Sequence, residues 1–597
     1  MAEPRKIPLP IASGIVLNKT EYEAQGRYTD CDHVRFVQDQ PEKIGGWEQW
    51  NDPGYELTGI CRSMICWQDF NYNVWHVFGT NLRLWAYDQD KARYNLTPYS
   101  ETGTLANPFT TTNGSTSVNV ADTSHGLVVG QYVNFSGASA VGGITISGEY
   151  TVTTVVDANN YTITHSAAAT SSAGPGGGAA VAYSYELAPG DANVSVGGGW
   201  GIGRWGEGTW GTERTSATYV QLPRYWSLDR YGQYLLAQVS NGKLYQWSLN
   251  TANRAAVVTN APATGLFMFV TSERIVVVLG ADGDFMQMKW CDDDDNTLWT
   301  PADDNTAGIR KLKEGNRLMA GANMAQAVNV VWTDTALYLM QFTGTNNVFS
   351  TRVVGTNCGL LGPAAFVIVD GIAFWMSPTA FHMYSGQLAK VPRSDEIEAV
   401  LRDVNDDQRF KVQCHFNPLF REIWWIYPSL GSTECDKYVM VSLDTWDWAI
   451  GTIDRTVFGL RSLLSQYTLF GVDSTGVIYT HETGVDADGA ALDWHIETGF
   501  MDIEDGNAGL NIDGYIPDTS RWTGTLDVTF TSRDLPEDTA SLETVTKQLA
   551  EGDTIADLRH FGRQTKLKLS QTDVVGGDFR LGAHRIEVSG TPTKRHD

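Results

Sequence analysis

The chain has 597 residues, too many for one hydrophobic core, and its 42% hydrophobic content is typical of a folded protein. Its 43 basic and 69 acidic residues give a net charge of −26, which excludes a general nucleic-acid binder, because such proteins need a cationic surface. Only 19% of residues are charged, while 60 are glycine and 20 are tryptophan, which favours short strands, tight turns and broad subunit contacts.

Residues 1–20 predict an extended N-terminal arm. Pro4, Pro8 and Pro10 favour extended backbone there, and an arm of this kind can cross to a neighbouring subunit. The start of the chain lacks the apolar stretch of a signal peptide, and no run approaches about 18 apolar residues. We therefore expect synthesis in the cytoplasm and no membrane-spanning segment.

A recurring hairpin predicts that the fold is mainly β and contains a β-propeller. An apolar strand, a polar or glycine turn and an aromatic strand recur roughly every 40 to 55 residues, a period typical of radially repeated four-stranded sheets. We predict about seven degenerate blades, the first within 21–101 and the rest within 188–485, with unrelated β-sandwiches as the alternative. The hairpins begin at Asn73, Gln233, Arg274, Val330, Ile372, Arg421 and Thr468.

Residues 102–187 predict an inserted small β domain. Their composition changes abruptly to Thr, Ser, Gly, Ala and Val, and two segments alternate with period two. We expect about five or six strands here, with the tract SSAGPGGGAA as a flexible exit or long loop. Nothing in the segment indicates chemistry, so we expect a surface decoration or a contact with a neighbour.

Residues 197–212 form a glycine-rich ribbon in which Trp200, Trp205 and Trp210 recur every five residues. Five is not a helical period, so the pattern predicts an extended ribbon that anchors by inserting its aromatic rings. Two interpretations remain open: the ribbon grips another subunit, or it packs on its own chain.

Residues 486–597 predict a linker followed by a C-terminal antiparallel β module with strict alternation. Basic residues concentrate there although the rest of the chain is acidic, which favours docking to a partner of opposite charge. A solvated sheet face is the alternative. The four interface candidates in this module are Arg559, Arg563, Lys566 and Lys568.

Two acidic loops are the weak metal candidates. The first contains Asp486 and Asp488 and partly resembles a calcium loop, but it lacks the full alternating ligand set and the bidentate glutamate. The second is the run Asp292, Asp293, Asp294 and Asp295, where solvated loop carboxylates are the commoner interpretation.

The sequence predicts no catalytic residues, no cofactor and no zinc or disulfide framework. Nucleophile-elbow and phosphate-binding motifs do not occur, and the seven cysteines are irregularly spaced, which is typical of buried thiols. We also expect core or interface roles for the histidines beside aromatic residues on predicted strands. These are His76, His382, His415, His481 and His495.

Several segments together resemble a family of structural proteins from the tails of short-tailed bacteriophages. They include GRYTDCDHVRF and QPEKIGGW near the start, the GWGIGRWGEGTWGT ribbon, YWSLDRYGQYLLA, LWTPADDNTAG, VVWTDTALYLMQF, GTNCGLLGP and REIWWIYP. They occur in order and span most of the chain, except the insertion, which resembles a module shared among phage proteins.

This resemblance implies a tail nozzle in the virion, made in the host bacterial cytoplasm. Such a nozzle is a hexameric ring below an adaptor protein that connects head and tail, and it meets tail fibre or needle proteins. It retains packaged double-stranded DNA and lets it pass on ejection, without sequence-specific binding. Acidic loops such as 292–295 are then expected to face the lumen or the gate. The alternatives are a hub or glycan-binding adsorption protein and a glycan-cleaving enzyme on a propeller scaffold.

Overall fold

The computed structural model describes residues 5–20, 22–194, 222–345, 348–463, 466–502, 509–535 and 542–593. Their regular secondary structure is almost entirely β-strand, arranged in many small sheets. Within these ranges there is one short α-helix, Ala399–Asp403, with 3₁₀ turns at Ala281–Gly283, Ser394–Ile397 and Asp406–Lys411. No described helix is long and apolar enough to cross a membrane.

The chain divides into two compact units, and the first, Leu57–Lys311, is called the insertion unit. It contains three consecutive four-stranded antiparallel meanders, here called meander sheets 1 to 3. Sheet 1 comprises Cys61–Gln68, Val74–Thr80, Leu84–Tyr87 and Arg93–Asn95. Sheet 2 comprises Trp226–Tyr231, Tyr234–Val239, Leu244–Trp247 and Ala256–Val257. Sheet 3 comprises Phe267–Val270, Val276–Leu279, Gln287–Trp290 and Gly308–Lys311.

The second unit, Met1–Glu56 with Leu312–Asp597, is called the terminal unit and contains meander sheets 4 to 7. Sheet 4 comprises Leu318–Ala325, Val328–Thr333, Ala336–Phe342 and Phe349–Thr356. Sheet 5 comprises Phe366–Val369, Ile372–Met376, Phe381–Tyr384 and Leu388–Lys390. Sheet 6 comprises Gln413–Asn417, Glu422–Tyr427, Lys437–Ser442 and Trp448–Thr452. Sheet 7 comprises Val457–Leu463, Gln466–Val472, Ile478–His481 and the N-terminal strand Trp47–Gln49.

Meander sheets 1 to 3 lie side by side through their first strands, and so do meander sheets 5 to 7. Trp226–Tyr231 lies beside both Cys61–Gln68 and Phe267–Val270, and Gln413–Asn417 lies between Phe366–Val369 and Val457–Leu463. The central strands are buried on both faces, as in Val74–Thr80. Burial on both faces explains why these strands are continuously apolar and aromatic rather than alternating.

Within the insertion unit, the insertion predicted at residues 102–187 forms one antiparallel sheet of eight strands around its own core. This is more than the five or six strands expected. The tract predicted as flexible is ordered, because Ala173–Gly176 pairs with Phe109–Thr111. Gly174 permits this close approach, since a Cβ there would lie 2.7 Å from the Phe109 carbonyl oxygen. In sheet order the strands are Tyr99–Leu105, Val181–Glu186, Tyr132–Ser136, Gly148–Asp157, Asn160–Thr164, Ser117–Ala121, Phe109–Thr111 and Ala173–Gly176.

The two ends of the chain are interleaved in three further sheets of the terminal unit. Terminal sheet A contains Arg5–Leu9, His584–Thr593, Gly509–Ile516 and Ala556–Gly562. Terminal sheet B contains Ala12–Ile15, Arg27–Asp32, Trp494–Thr498, Gln564–Gln571, Leu526–Arg533 and Glu543–Leu549, with Met501–Asp502 at its side. Terminal sheet C contains Val34–Val37, Gln40–Lys43, Asp578–Leu581 and Thr519–Thr523.

The N-terminal segment therefore differs from the predicted arm and first blades. Its backbone is extended, but Arg5–Leu9 pairs with the C-terminal strand His584–Thr593 of the same chain. Of residues 21–101, those before 57 belong to the terminal unit, and the first meander sheet begins at Cys61. Partners this far apart in sequence leave no local pattern, so a hairpin search does not find them.

Candidate functional site

The acidic run of meander sheet 3 uses its carboxylates to fold its own loop. Asp292 accepts hydrogen bonds from the backbone and side chain of Thr306, both at 2.7 Å, and Asp295 accepts two from Thr297. Partial burial opposes ionisation of Asp292, but the hydrogen bonds from Thr306 outweigh it and hold its pKa below the usual value. Asp294 pairs with Arg274 at 2.8 Å. These carboxylates are thus bound by threonine and arginine groups of the same chain.

The loop of Asp486 and Asp488 is likewise held by backbone groups. Asp486 accepts a hydrogen bond from the Gly576 amide at 2.7 Å, and Asp488 accepts one from the Gln49 amide at 3.0 Å. Among the described residues there is no group of three or more His, Cys, Asp or Glu side chains arranged to hold a metal ion.

The basic interface candidates lie on or beside two terminal sheets. Lys566 and Lys568 lie on the outward face of terminal sheet B, and Arg559 is exposed on terminal sheet A. Lys566 pairs with Glu497 at 2.5 Å, so part of this charge is neutralised within the chain. Arg563 lies in the turn between Ala556–Gly562 and Gln564–Gln571. The ribbon with Trp200, Trp205 and Trp210 lies outside the described residues.

Four of the five histidines are buried: His76, His382, His415 and His481. His415 stacks on Phe458 with ring centroids 4.0 Å apart, and burial lowers its pKa to about 3. His495 is half-buried and hydrogen-bonds Asp30 at 3.0 Å. These positions suit packing and internal pairing.

The terminal unit contains a buried charge cluster that no sequence pattern indicates. The Arg35 guanidinium is fully buried, donates to Glu482 and lies 3.2 Å from Glu422. Its flat face covers the Phe420 ring at 3.6 Å from the centroid. Glu482 also accepts a hydrogen bond from Asn417 at 2.9 Å. A cluster of this kind joins the N-terminal segment to meander sheets 6 and 7.

Ionisation of this cluster is opposed by burial. Burial raises the pKa of Glu422 to about 7, although the Arg35 charge lowers it. The Trp424 indole donates to the other Glu422 oxygen at 3.1 Å. In the sequence Glu422 is only the first residue of the strand EIWWIY, and the strand alone does not reveal its partner.

Close backbone contacts explain why the QPEKIGGW motif has glycine at positions 45 and 46. A Cβ on Gly46 would lie 2.2 Å from the Asp486 carbonyl oxygen, and one on Gly45 would lie 2.7 Å from the Glu482 Cα. The same stretch hydrogen-bonds in both directions, with Gly46 N donating to Gly484 O at 3.0 Å. This contact lets Trp47–Gln49 reach meander sheet 7 and complete it.

Arg83 fixes the insertion to meander sheet 1. It pairs with Glu186 at 3.0 Å and Glu149 at 2.5 Å, and it covers the Tyr132 ring at 3.6 Å. Glu186 is buried and also pairs with Arg254 of the segment before Ala256–Val257, at 3.0 Å. Buried groups paired in this way hold one arrangement, so the insertion is anchored by polar contacts as well as by its two chain connections.

A family model matches part of the chain. Residues 102–179 match the β-barrel domain of bacteriophage endosialidase, which corresponds to the insertion alone. This match indicates a phage protein. No curated protein matches the chain.

Two solved structures are similar over long stretches but at low scores. The computationally designed Ika8 protein is 9% identical with a TM-score of 0.31, covering 72% of this chain and 97% of that one. The phage phi92 endosialidase is 12% identical with a TM-score of 0.17, covering 97% of this chain and 71% of that one. At these scores neither likeness carries an argument about function.

Proposed function

We propose that the protein is a structural component of a phage tail and forms its distal nozzle, a ring-shaped conduit for DNA. The insertion's match to a phage domain family supports the phage assignment. The narrower role is supported by the ordered series of segments that resemble tail nozzles. We also propose that the protein has no catalytic activity and that its partners are further copies of itself, an adaptor and fibre or needle proteins.

The observation that carries this proposal is the run of seven consecutive four-stranded meanders. The last of them takes its fourth strand, Trp47–Gln49, from the segment that directly precedes the first. When a strand from one end of the chain completes the sheet at the other end, radially repeated sheets can close into a ring. We therefore propose that the seven meanders close into one propeller.

The charge of the chain suits a conduit. A net charge of −26 repels DNA, so a lumen lined by exposed acidic loops allows DNA to slide without adhering. We propose that the loop containing the 292–295 run faces this lumen. Its carboxylates accept hydrogen bonds from Thr306 and Thr297 and pair with Arg274, and we propose that their charge is presented without a bound cation.

Electron microscopy of the purified full chain tests the assignment. A six-fold ring with a central channel, built from seven-bladed subunits, is the expected image. A trimeric spike, or a subunit whose meanders form separate sandwiches, would contradict the nozzle and the propeller respectively.

A second candidate, an adsorption protein that binds host glycan, is favoured by the insertion's similarity to an endosialidase domain. The insertion can be removed cleanly, because Leu187 N donates to Pro98 O at 2.9 Å and the two ends lie together. The variant lacks residues 101–184, joins Ser100 to Tyr185 through two glycines and keeps Glu186 for Arg83. Glycan binding by the full chain but not by this variant would favour adsorption.

A turnover assay tests whether the protein is an enzyme. Host polysaccharide is incubated with the full chain, and the reducing ends are counted over time. We expect no turnover; steady release of reducing ends that single carboxylate variants abolish would overturn the structural assignment.

A further inference from the structure

The strand Trp47–Gln49, here called the closing strand, lies against Ile478–His481 at the edge of meander sheet 7. Three residue pairs join the two strands, and the last of them places Trp47 beside His481. The side chains of this pair are also in contact, with ring centroids 5.4 Å apart. A short edge strand opens more readily than a central one, so side-chain contacts contribute to how firmly it is held.

A buried arginine contacts both strands. Arg455 is 4% exposed, and its guanidinium carbon lies 4.9 Å from the Trp47 ring centroid and 4.2 Å from that of Tyr479. Its Nε donates to His481 Nε2 at 2.8 Å, and its Nη1 donates to the Asp454 carbonyl at 2.6 Å. These two bonds fix the guanidinium beside the Trp47 ring, where cation and ring attract each other.

The hydrogen bond between Arg455 and His481 requires a neutral histidine. An arginine Nε always carries its hydrogen, so it can only donate, and His481 Nε2 must supply the lone pair. A proton on Nε2 would set two donors against each other at 2.8 Å and place two positive charges side by side. Burial and the Arg455 charge accordingly hold the pKa of His481 well below its usual 6.5.

A second buried histidine faces His481 from meander sheet 6. His415 stacks on Phe458 with ring centroids 4.0 Å apart, and Phe458 meets His481 edge-on at 4.9 Å. Among the described residues, neither ring nitrogen of His415 has a hydrogen-bond partner. A charge on His415 would repel one on His481 and lower the pKa of His481 further.

The carboxylates near Arg455 and His481 are bound by other groups. They are Glu482, which accepts from Arg35, Asp473, which accepts from Thr475, and Asp454, which accepts from Ser474. These carboxylates are therefore already engaged, and a proton on His481 is best compensated by water.

We propose that acid releases the closing strand through His481. When the strand lifts away, His481 leaves Arg455, reaches water and regains the ordinary proton affinity of histidine. The open state then binds a proton that the closed state excludes. Its population should rise about tenfold for each pH unit below 6.5, until His481 is protonated in the closed state as well. Glu422 acts in the opposite direction, because burial raises its pKa.

The release concerns one strand of meander sheet 7, whereas its effect on a ring rests on the proposed propeller. If the seven meanders close through this strand, its release opens the ring at one position. Acid then weakens the closed form without unfolding the individual sheets.

The variant His481→Gln separates this histidine from every other group that titrates. The glutamine side-chain oxygen accepts from Arg455 as Nε2 does, but it binds no proton in this pH range. Hydrogen exchange of the full chain, read by mass spectrometry from pH 7 to 4.5, reports opening of Trp47–Gln49. Relative to their ratio at pH 7, the wild type should exchange there at least about tenfold faster than the variant at pH 5.

The matched control is His495→Gln, because His495 also forms a hydrogen bond, to Asp30 at 3.0 Å, but lies on terminal sheet B. It should exchange in Trp47–Gln49 as the wild type does. Equal pH dependence in the wild type and the His481 variant would overturn the proposal. So would unfolding of the whole chain before the closing strand opens.

The wild type alone provides a second measurement if the variant does not fold. Exchange in Trp47–Gln49, divided by exchange in Lys437–Ser442 of meander sheet 6, should rise as pH falls. A constant ratio would overturn the release. Electron microscopy keeps the ring separate: acid opening of the strand in a protein without a ring contradicts the propeller alone, and a ring whose closing strand lacks this pH dependence contradicts the release alone.

Discussion

Arg35 and its carboxylates illustrate how single residues tie distant segments together in this protein. A guanidinium with no exposed surface is costly unless its charge is compensated, and here Glu482, directly after strand Ile478–His481, and Glu422 of meander sheet 6 supply the opposite charges. Two carboxylates face one guanidinium, so the raised pKa of Glu422 follows from burial beside a second negative charge. Stability should therefore depend on pH through this residue.

Replacing Glu422 by Gln should remove a pH-dependent loss of stability, because glutamine keeps an acceptor oxygen beside Arg35 but does not titrate. The folded pKa is about 7 against a usual 4.5, so the folded state binds the extra proton. The contribution of Glu422 to stability is then fully present below pH 4.5 and is lost as pH rises through 7, by at most about 3 kcal/mol. In urea denaturation from pH 5 to 8, the free energy of unfolding of the variant should fall by less than that of the wild type.

The control for this experiment is Glu551→Gln, which removes one exposed carboxylate elsewhere on the terminal unit. It should keep the wild-type pH slope. An equal slope in the Glu422 variant and the wild type would show that Glu422 is ionised throughout and would refute the assignment.

At the scale of elements, the closing strand Trp47–Gln49 depends on the two glycines before it. Gly46→Ala places a Cβ against the backbone of Asp486, which cannot move away as a flexible side chain would. We expect a loss of about 1–3 kcal/mol, the usual cost of overpacking. Hydrogen exchange should show the loss as faster exchange in Ile478–His481, the neighbour of the closing strand.

Ala490→Ser provides the comparison, because Ala490 is exposed in the loop that Gly46 contacts. It should leave exchange in Ile478–His481 unchanged. Equal protection in the Gly46 variant would mean that the loop shifts without cost and that the close contact does not hold the strand.

Arg83→Met tests the second inter-element contact. It leaves Glu149 without its partner and Glu186 with only part of its compensation, so we expect about 3 kcal/mol of destabilisation. Exchange should quicken first in Tyr99–Leu105, the strand next to Val181–Glu186. Arg230→Met, at an exposed position of the same unit, should have neither effect. Unchanged exchange in the Arg83 variant would show that the two chain connections alone hold the insertion.

How far the sequence predicts these elements depends on the distance between partners. Hairpins such as the one at Thr468 are local, so their strands and the count of about seven meanders follow from alternation and turn residues. Arg5–Leu9 pairs with His584–Thr593 across the whole chain, which no local pattern encodes. The inserted domain has more strands than the five or six expected, in part because AGPG is a strand whose glycines serve close packing rather than flexibility.

How much of the candidate site can be predicted also depends on how far apart the partners lie in the sequence. Clustered aspartates are visible in sequence, but their hydrogen bonds to Thr306 and Thr297 make them loop-forming groups. Arg35 and Glu422 stand alone in their segments and become a cluster only when the N-terminal segment reaches meander sheet 6. Sequence patterns thus show where charge is concentrated, whereas buried pairing is decided by tertiary contacts.

At the scale of the whole molecule, the acidic loop gives the conduit proposal its sharpest test. Asp292 and Asp295 hold the loop through hydrogen bonds, so replacing them would change its structure as well as its charge. Exposed carboxylates nearby can be replaced by lysine without removing these hydrogen bonds. The triple variant is Asp293→Lys, Asp303→Lys and Asp304→Lys. Phage carrying it should eject DNA about tenfold more slowly, because the reversed charges attract phosphates.

Added salt should restore much of the ejection rate in this variant, since screening over about 10 Å at 0.1 M weakens exposed charges. An equal reversal at exposed carboxylates of the terminal sheets separates local attraction from the change in net charge. The control variant is Glu543→Lys, Glu551→Lys and Asp557→Lys. If both variants slow ejection equally, net charge is responsible; if neither does, the loop does not face the DNA, because a lumen lined by lysines would retard a polyanion.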